Sequence, residues 1–213
     1  MRRTALIVID MQRDFCEVGG YAHRAGLDVS RLAAPMHHIR RLLDAARKAR
    51  LVVVHTREGH LPDLSDCPPV KLARSIHAGA PIGSQGPLGR LLIRGETGHD
   101  FVPQLAPHPG EWVIDKPGYS AFHATTLHER LHALQVDGLI LCGVTTEVCV
   151  HSTLRAAVDL GYRCITVRDA CAASQPELQD AAMNMIEVEG GILGQVLTTD
   201  DLLEQLFAEE LTA

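Results

Sequence analysis

The chain has 213 residues, 46% of them hydrophobic, and a formal net charge of −6. That length suits one α/β domain burying roughly 70% of the surface its unfolded chain would expose. The acidic balance offers no general attraction to nucleic acid or to an anionic membrane surface, and apolar runs such as ALIVI and LVVV are far too short to span a bilayer.

MRRTALIVID opens with two arginines, but Asp10 cuts its apolar run at once. Residues 5–10 therefore read as a buried first strand rather than a signal peptide. Residues 27–50 space their apolar side chains at threes and fours and read as one helix. LVVVHT at 51–56 is the second strand. Residues 57–110 follow, rich in Gly and Pro (GHLPDLSDCPP, GAPIGSQGPLG) and without a clear element. A connection of that length is expected to cover a site or build an interface, against the plainer reading of a passive surface excursion. EWVID at 111–115 is the third strand, with a helical pattern near 124–134. GLILCG at 138–143 is the fourth, followed by a helix from about 148 to 160. RCITVRD at 163–169 is the fifth, before a helix near 176–188. GILGQVLTT at 191–199 holds a short sixth strand ahead of a closing helix at 200–208. The alternation predicts a single α/β domain over 1–213, three-layer α/β/α and Rossmann-like. Its central parallel sheet has about six strands, with helices on both faces.

In an open parallel sheet, ligands bind beyond the carboxyl ends of the strands. Asp10 follows the first strand, His55 to His60 surround the end of the second, Asp115 and Lys116 end the third, and Thr145 to Cys149 follow the fourth. An acid, an amine and a thiol from separate strands thus arrive at one edge. Cys149 falls where a strand stops and a helix starts. Unpaired N–H groups and the positive end of the helix dipole would stabilise a thiolate there, and could equally hold the oxyanion of a tetrahedral intermediate. The competing reading of Cys149 is a small buried core residue. Asp10 reads either as a structural acid capping a turn or as a general base paired to a cation. Lys116 is either that cation or a solvated surface lysine.

Three segments, ALIVIDMQRDF, VIDKPGYSAF and GVTTEVCV, resemble in order and spacing the motifs of the isochorismatase-like cysteine hydrolases, and the resemblance runs through nearly the whole chain. It implies a catalytic triad of Asp10, Lys116 and Cys149, a cis peptide between Val144 and Thr145, and an oxyanion hole from the backbone N–H groups of Thr145 and Cys149. The implied reaction is nucleophilic acyl transfer. Asp10 takes the thiol proton, Cys149 attacks a carbonyl carbon, and Asp10 returns the proton to the departing nitrogen. Water activated by Asp10 then releases the acyl group, while Lys116 orients the acid and offsets its charge. Isochorismatase proper cleaves a vinyl ether without this thiol. Nicotinamidases carry a metal site with an Asp-x-His pair, which HTREGHLPDLSD does not match. His55 and His60 are five apart and His37 and His38 read as helix-face residues, so neither a metal nor another cofactor is expected.

HTREGHLPDLSDCPPVK, GSQGPLGRLLIRGETGHD and VIDKPGYSAF look like the biuret-hydrolase-like branch, whose members cleave ureides. A pocket for a small ureide needs carboxylate or amide oxygens for its N–H groups and a few fixed donors. Gln12, Arg57, Glu58 and Glu189 are candidates, with Phe15 as an apolar wall. A local ion pair is the competing reading of Arg57 and Glu58. Where biuret hydrolases of this type have glutamine, this chain has Glu189, which favours a longer row of N–H groups. Triuret and biuret therefore rank together ahead of ureidoacrylate and N-carbamoyl amino acids, whose carboxylate would be repelled unless an arginine intervened. The rival class is a thiol redox protein or a partner-binding module, in which Cys16 could approach Cys149. No pair among the six cysteines has C-x-x-C spacing, and reduced thiols in the cytoplasm are expected. The resemblance further implies a homodimer or homotetramer acting on a small-molecule amide.

Overall fold

The unbroken apolar runs TALIVI and GLILCGV become the two central strands of a parallel sheet, and every residue in both is buried. A strand covered by helices on both faces has no wet side, so its sequence does not alternate. A computed structural model describes residues 3–210, with side chains through residue 206. Its strands are β1 (Thr4–Ile9), β2 (Val52–Glu58), a short hairpin of β3 (Gln85–Gly86) and β4 (Gly89–Arg90), β5 (Trp112–Lys116), β6 (Gly138–Val144), β7 (Arg163–Ala172) and β8 (Gln195–Leu197). Apart from the hairpin they form one six-stranded parallel sheet in the order β5-β2-β1-β6-β7-β8.

From β1 the chain winds outward through β2 to β5, then returns to place β6 on the other side of β1 and continues through β7 to β8. The winding reverses between β1 and β6, so their carboxyl ends frame the crevice where open α/β sheets take ligands. Right-handed crossovers put the helices of the two halves on opposite faces. One face carries α3 (Val29–Ala33) and α4 (Met36–Lys48), with α10 (Thr199–Glu210) packed against α4. The other carries α6 (Leu127–Ala133), α7 (His151–Asp159) and α8 (Pro176–Ile186). His151 Nε2 lies 3.2 Å from the Ala182 carbonyl and so ties α7 to α8. No helix among the described residues is long and apolar enough to cross a membrane.

The helix expected over 27–50 is two helices. Pro35, which has no N–H to give to the preceding turn, separates α3 from α4. The excursion after β2 is also less bare than its composition implied. It holds α5 (Pro69–His77), the β3–β4 hairpin and a 3-10 turn at Pro103–Leu105. In α5 the buried residues are Lys71 and Ser75, one turn apart, while Val70 and Ile76 are 61% and 58% exposed. Apolar spacing could not reveal a helix whose buried face is polar. Short helices α1 (Arg13–Cys16) and α2 (Tyr21–Arg24) anchor the excursion, and a short α9 (Val188–Gly191) lies between α8 and β8. Buried Asp14 accepts from the Leu92 N–H at 2.9 Å and the Tyr21 N–H at 3.1 Å, and its own N–H donates to Gly98 O at 2.7 Å.

Gly143, at the end of β6, has φ +117° and lies so close to β1 that a Cβ would overlap the Ile9 carbonyl and amide. The peptide that follows, Val144–Thr145, is cis. Gly143→Ala is expected to destabilise the protein by at least about 2 kcal/mol, the backbone conformation and the overlap acting together. Urea unfolding would read this as a lower midpoint at unchanged slope.

Candidate active site

β2 and β5 pair in parallel with Arg57 opposite Asp115 and Glu58 opposite Lys116. Side chains alternate along a strand, so the first pair faces one side of the sheet and the second pair the other. Arg57 grips Asp115 through both carboxylate oxygens at 2.7 and 3.1 Å, reaches Asp100 at 3.4 Å and lies 5.1 Å over the Phe101 ring. Of the two readings of Arg57, substrate contact and a local ion pair, the ion pair is the one seen, made with Asp115 and Asp100 on the sheet face opposite Glu58.

Glu58 and Lys116 meet Asp10 and Cys149 at the β1/β6 crevice. Lys116 is fully buried, with Nζ 2.7 Å from Asp10 Oδ2 and 3.7 Å from Glu58 Oε2. Its ammonium also donates to the carbonyls of Gly118 (3.0 Å) and Tyr119 (2.9 Å), where the chain curls back after β5. Asp10 Oδ1 accepts the Thr56 hydroxyl at 2.6 Å. Oδ2 is the oxygen paired with the ammonium. Cys149 is 4% exposed, on a π-turn (Thr146–Val150) that leads into α7. Its thiol donates to Glu58 Oε2 at 3.3 Å, and Sγ and one oxygen from each of Asp10 and Glu58 lie within 4.8 Å of one another. Lys71 completes the cluster, with Nζ 2.6 Å from Glu58 Oε1 and 5.0 Å from the centre of the Tyr119 ring.

Burial pushes the Asp10 carboxyl up, Lys116 only partly offsetting it and Glu58 adding to the rise. Burial acts on Glu58 in the same sense, but the ammonium groups of Lys116 and Lys71 outweigh it and hold this carboxyl below its usual range. The Cys149 thiol is pushed well up, first by burial and then by both carboxylates, against the pull of Lys116. Burial thus works against the thiolate that a helix start would favour. With the thiol protonated, the negative charges of Asp10 and Glu58 match the positive charges of Lys71 and Lys116.

The remaining candidates take other places. Gln12 is fully buried and its side-chain amide is committed. It donates to Glu58 O (3.0 Å) and His99 O (3.1 Å), and it accepts from Glu58 N–H (2.7 Å). It fixes the Glu58 backbone and has no donor left for a substrate. Phe15 packs edge-on against Tyr21, ring centres 5.9 Å apart. The Tyr21 phenol, raised to about 12 by burial, lies within electrostatic reach of Glu58, Tyr119 and Cys149. Glu189 is exposed at φ +52°, after α8 has carried the chain back to the amino edge of the sheet. The residues after it line a cavity of about 540 Å³ beside Thr4, Gly138 and Cys164, where strands begin. Within one chain, Glu189 and Cys149 thus lie at opposite edges.

Thr145 lies between the cis peptide and the π-turn, and its carbonyl accepts from the Val148 and Val150 N–H groups. Among histidines, His55 pairs with Glu111 (2.9 Å), His60 with Asp66 (3.3 Å) and His38 with Asp169 (3.2 Å), while His37 turns back to the Ala34 carbonyl. All six cysteines are free, and the Cys16 thiol is directed at the Leu32 carbonyl. Among the described residues, Asp10, Glu58 and Cys149 are the one group close enough to share an ion, and two lysine ammonium groups already serve that space. Thr56 and Lys71 went unnoticed in the sequence. Thr56 was within reach of the strand's period of two, whereas nothing local marks Lys71.

Lys71→Met would leave Glu58 buried without its nearest cation and should cost about 3 kcal/mol of stability. The double variant Glu58→Gln/Lys71→Met removes one charge of each sign and should recover most of that loss in a thermal melt.

A family model described as the isochorismatase domain matches residues 4–201. The ureidoacrylate amidohydrolase RutB of Azorhizobium caulinodans is 34% identical over 200 residues, covering 92% of this chain and 88% of that protein. Its counterpart from Methylorubrum extorquens is 34% identical over 214 residues, covering 99% and 86%. A cysteine hydrolase from Pseudomonas syringae pv. phaseolicola superposes with TM-score 0.81 at 30% identity, over 97% of this chain and 93% of the other. N-carbamoylsarcosine amidase from Thermoplasma acidophilum superposes with TM-score 0.70 at 25% identity, over 93% and 97%. Sequence and fold agree on the lineage, and the chain belongs to the isochorismatase family.

Proposed function

We propose that this chain is a cysteine-dependent amidohydrolase of N-carbamoyl carboxylates, the class that includes ureidoacrylate and N-carbamoyl amino acids. The observation that carries the chemistry is the Cys149 thiol buried beside Asp10, with Lys116 paired to the acid. Its proton moves to Asp10 as Sγ attacks the carbamoyl carbon. That transfer leaves the net charge of the buried cluster unchanged, which a thiolate formed by loss to solvent would not. The N–H groups of Thr145 and Cys149 receive the oxyanion. The carbon–nitrogen bond then breaks as the leaving nitrogen takes the proton from Asp10, leaving a thiocarbamate on Cys149. Water gives its proton to Asp10 and attacks that carbon, and sulfur departs as the thiol. The carbamate so released falls apart to ammonia and bicarbonate.

Two observations support N-carbamoyl carboxylates over triuret and biuret. Glu189, the residue that ranked the longer ureides first, lies at the other edge of the sheet. The objection that a substrate carboxylate would be repelled also weakens, because the carboxylates beside Cys149 are matched by Lys71 and Lys116. The ureidoacrylate and N-carbamoylsarcosine enzymes among the relatives point the same way.

Ammonia release should be measured from ureidoacrylate, N-carbamoylsarcosine, biuret, triuret and nicotinamide. Turnover is expected to favour the first two and to fall at least about a thousandfold in Cys149→Ser. Preference for biuret or triuret would overturn the substrate class, and full activity of the serine variant would overturn the mechanism. The pH profile tests the base. Asp10 must be ionised to accept the thiol proton, and burial raises its pKa above the ordinary 3.8. The acid limb of kcat/KM should therefore lie above the usual carboxylate range, with activity lost as pH falls through it.

A further inference from the structure

The reaction above employs Asp10, Lys116 and Cys149 but leaves a second buried carboxylate without a task. Glu58 is 3% exposed, and both of its oxygens are held: Oε1 by Lys71 at 2.6 Å, Oε2 by the Cys149 thiol at 3.3 Å with Lys116 beyond at 3.7 Å. Gln12 clamps its backbone N–H and carbonyl together. A carboxylate fixed this firmly next to a nucleophile has one changing contact, the thiol. When the thiol proton goes to Asp10 and Sγ bonds to carbon, Oε2 loses its donor, and a buried acceptor left without one is destabilising. The carbon that Sγ attacks in a carbamoyl group also bears a nitrogen. Oε2, 3.3 Å from Sγ, is placed to accept an N–H from that nitrogen.

We propose that Glu58 Oε2 passes from the thiol S–H to an N–H of the terminal carbamoyl nitrogen, so that Glu58 selects substrates with an unsubstituted carbamoyl end and Lys71 is its positioning cation. The proposal rests on the amidohydrolase reading and deepens it. The charged and titratable groups facing Glu58 are Lys71 from α5, Lys116 from β5, Asp10 after β1, Cys149 from the π-turn, Tyr21 from α2, and His60 and Cys67 from the excursion after β2. The two lysines keep Glu58 ionised and acceptor-only, whereas burial raises Asp10. The two carboxyls thereby divide into a hydrogen-bond acceptor and a base.

The test uses alkylation of Cys149 by iodoacetamide, with protection by N-carbamoylglycine or by its N,N-dimethylcarbamoyl analogue, which lacks the terminal N–H. In the native protein the first should protect at about tenfold lower concentration than the second, the scale of one hydrogen bond to a charged acceptor. In Glu58→Gln that preference should disappear. The pH midpoint of alkylation should also fall, because an anion beside the thiol has been removed. A purely structural role would leave the midpoint in place. Equal protection by both compounds, no protection by either, or a preference kept in Glu58→Gln overturns the proposal. So does complete loss of alkylation in a folded Glu58→Gln, which would make Glu58 the base. If Glu58→Gln does not fold, the charge-matched Glu58→Gln/Lys71→Met variant is read by the same criteria. Protection needs no turnover. A native enzyme that shows the preference but hydrolyses no carbamoyl compound would sink the amidohydrolase reading and leave the selection by Glu58 standing.

Discussion

The carboxyl edge of this sheet is organised around one fully buried ammonium, Lys116. Withdrawing a charge of that size from water is destabilising by several kcal/mol unless nearby groups replace the solvent. Here they do: two carbonyls from the turn after β5 accept its protons, and Asp10 supplies an opposite charge at 2.7 Å. The turn at Pro117–Tyr119 and the placement of Asp10 just past β1 are both answers to that requirement. So is the register that sets Glu58 opposite Lys116. Once the cation is fixed, the carboxylates have little freedom in where they settle, and the thiol from the π-turn after β6 closes the remaining side.

Magnitudes decide the state of that thiol. A helix start stabilises an anion by about 0.3–1 kcal/mol, and up to about 2 kcal/mol in a sheltered site. Full burial of a charge opposes it by several kcal/mol, and two neighbouring carboxylates oppose it further. The larger effect is burial, so the balance at Cys149 lies toward the thiol rather than the thiolate.

The architecture was legible because β1 and β6 are apolar on both faces, and such strands have few alternative homes. The placement of Asp10, Lys116 and Cys149 at one edge followed from the rule for open parallel sheets. Three things escaped. Arg57 and Glu58 are sequence neighbours, yet a strand sends them to opposite faces, so their roles separate once register is known. Gln12 resembles a ligand-binding amide until its donors are counted against the backbone of Glu58 and His99. The helix α5 hides because it buries a lysine and a serine and exposes valine and isoleucine, the reverse of the pattern by which helices are recognised.

That reversal bears on how the site is divided. Asp10, Glu58, Lys116 and Cys149 all come from the ends of sheet strands or the turns just past them, where the backbone is held by the parallel ladder. Lys71 alone among the charged groups comes from the excursion, which is stitched to the domain through Asp14 and the backbone of residues 92–101. The groups around the thiol are thus held by the rigid part of the fold, while their charge match depends on a helix of the excursion outside the sheet. Replacing Lys71 by a neutral residue would leave those groups in place but tip the buried cluster negative. The sign of one side chain on α5 therefore sets the charge balance around Cys149.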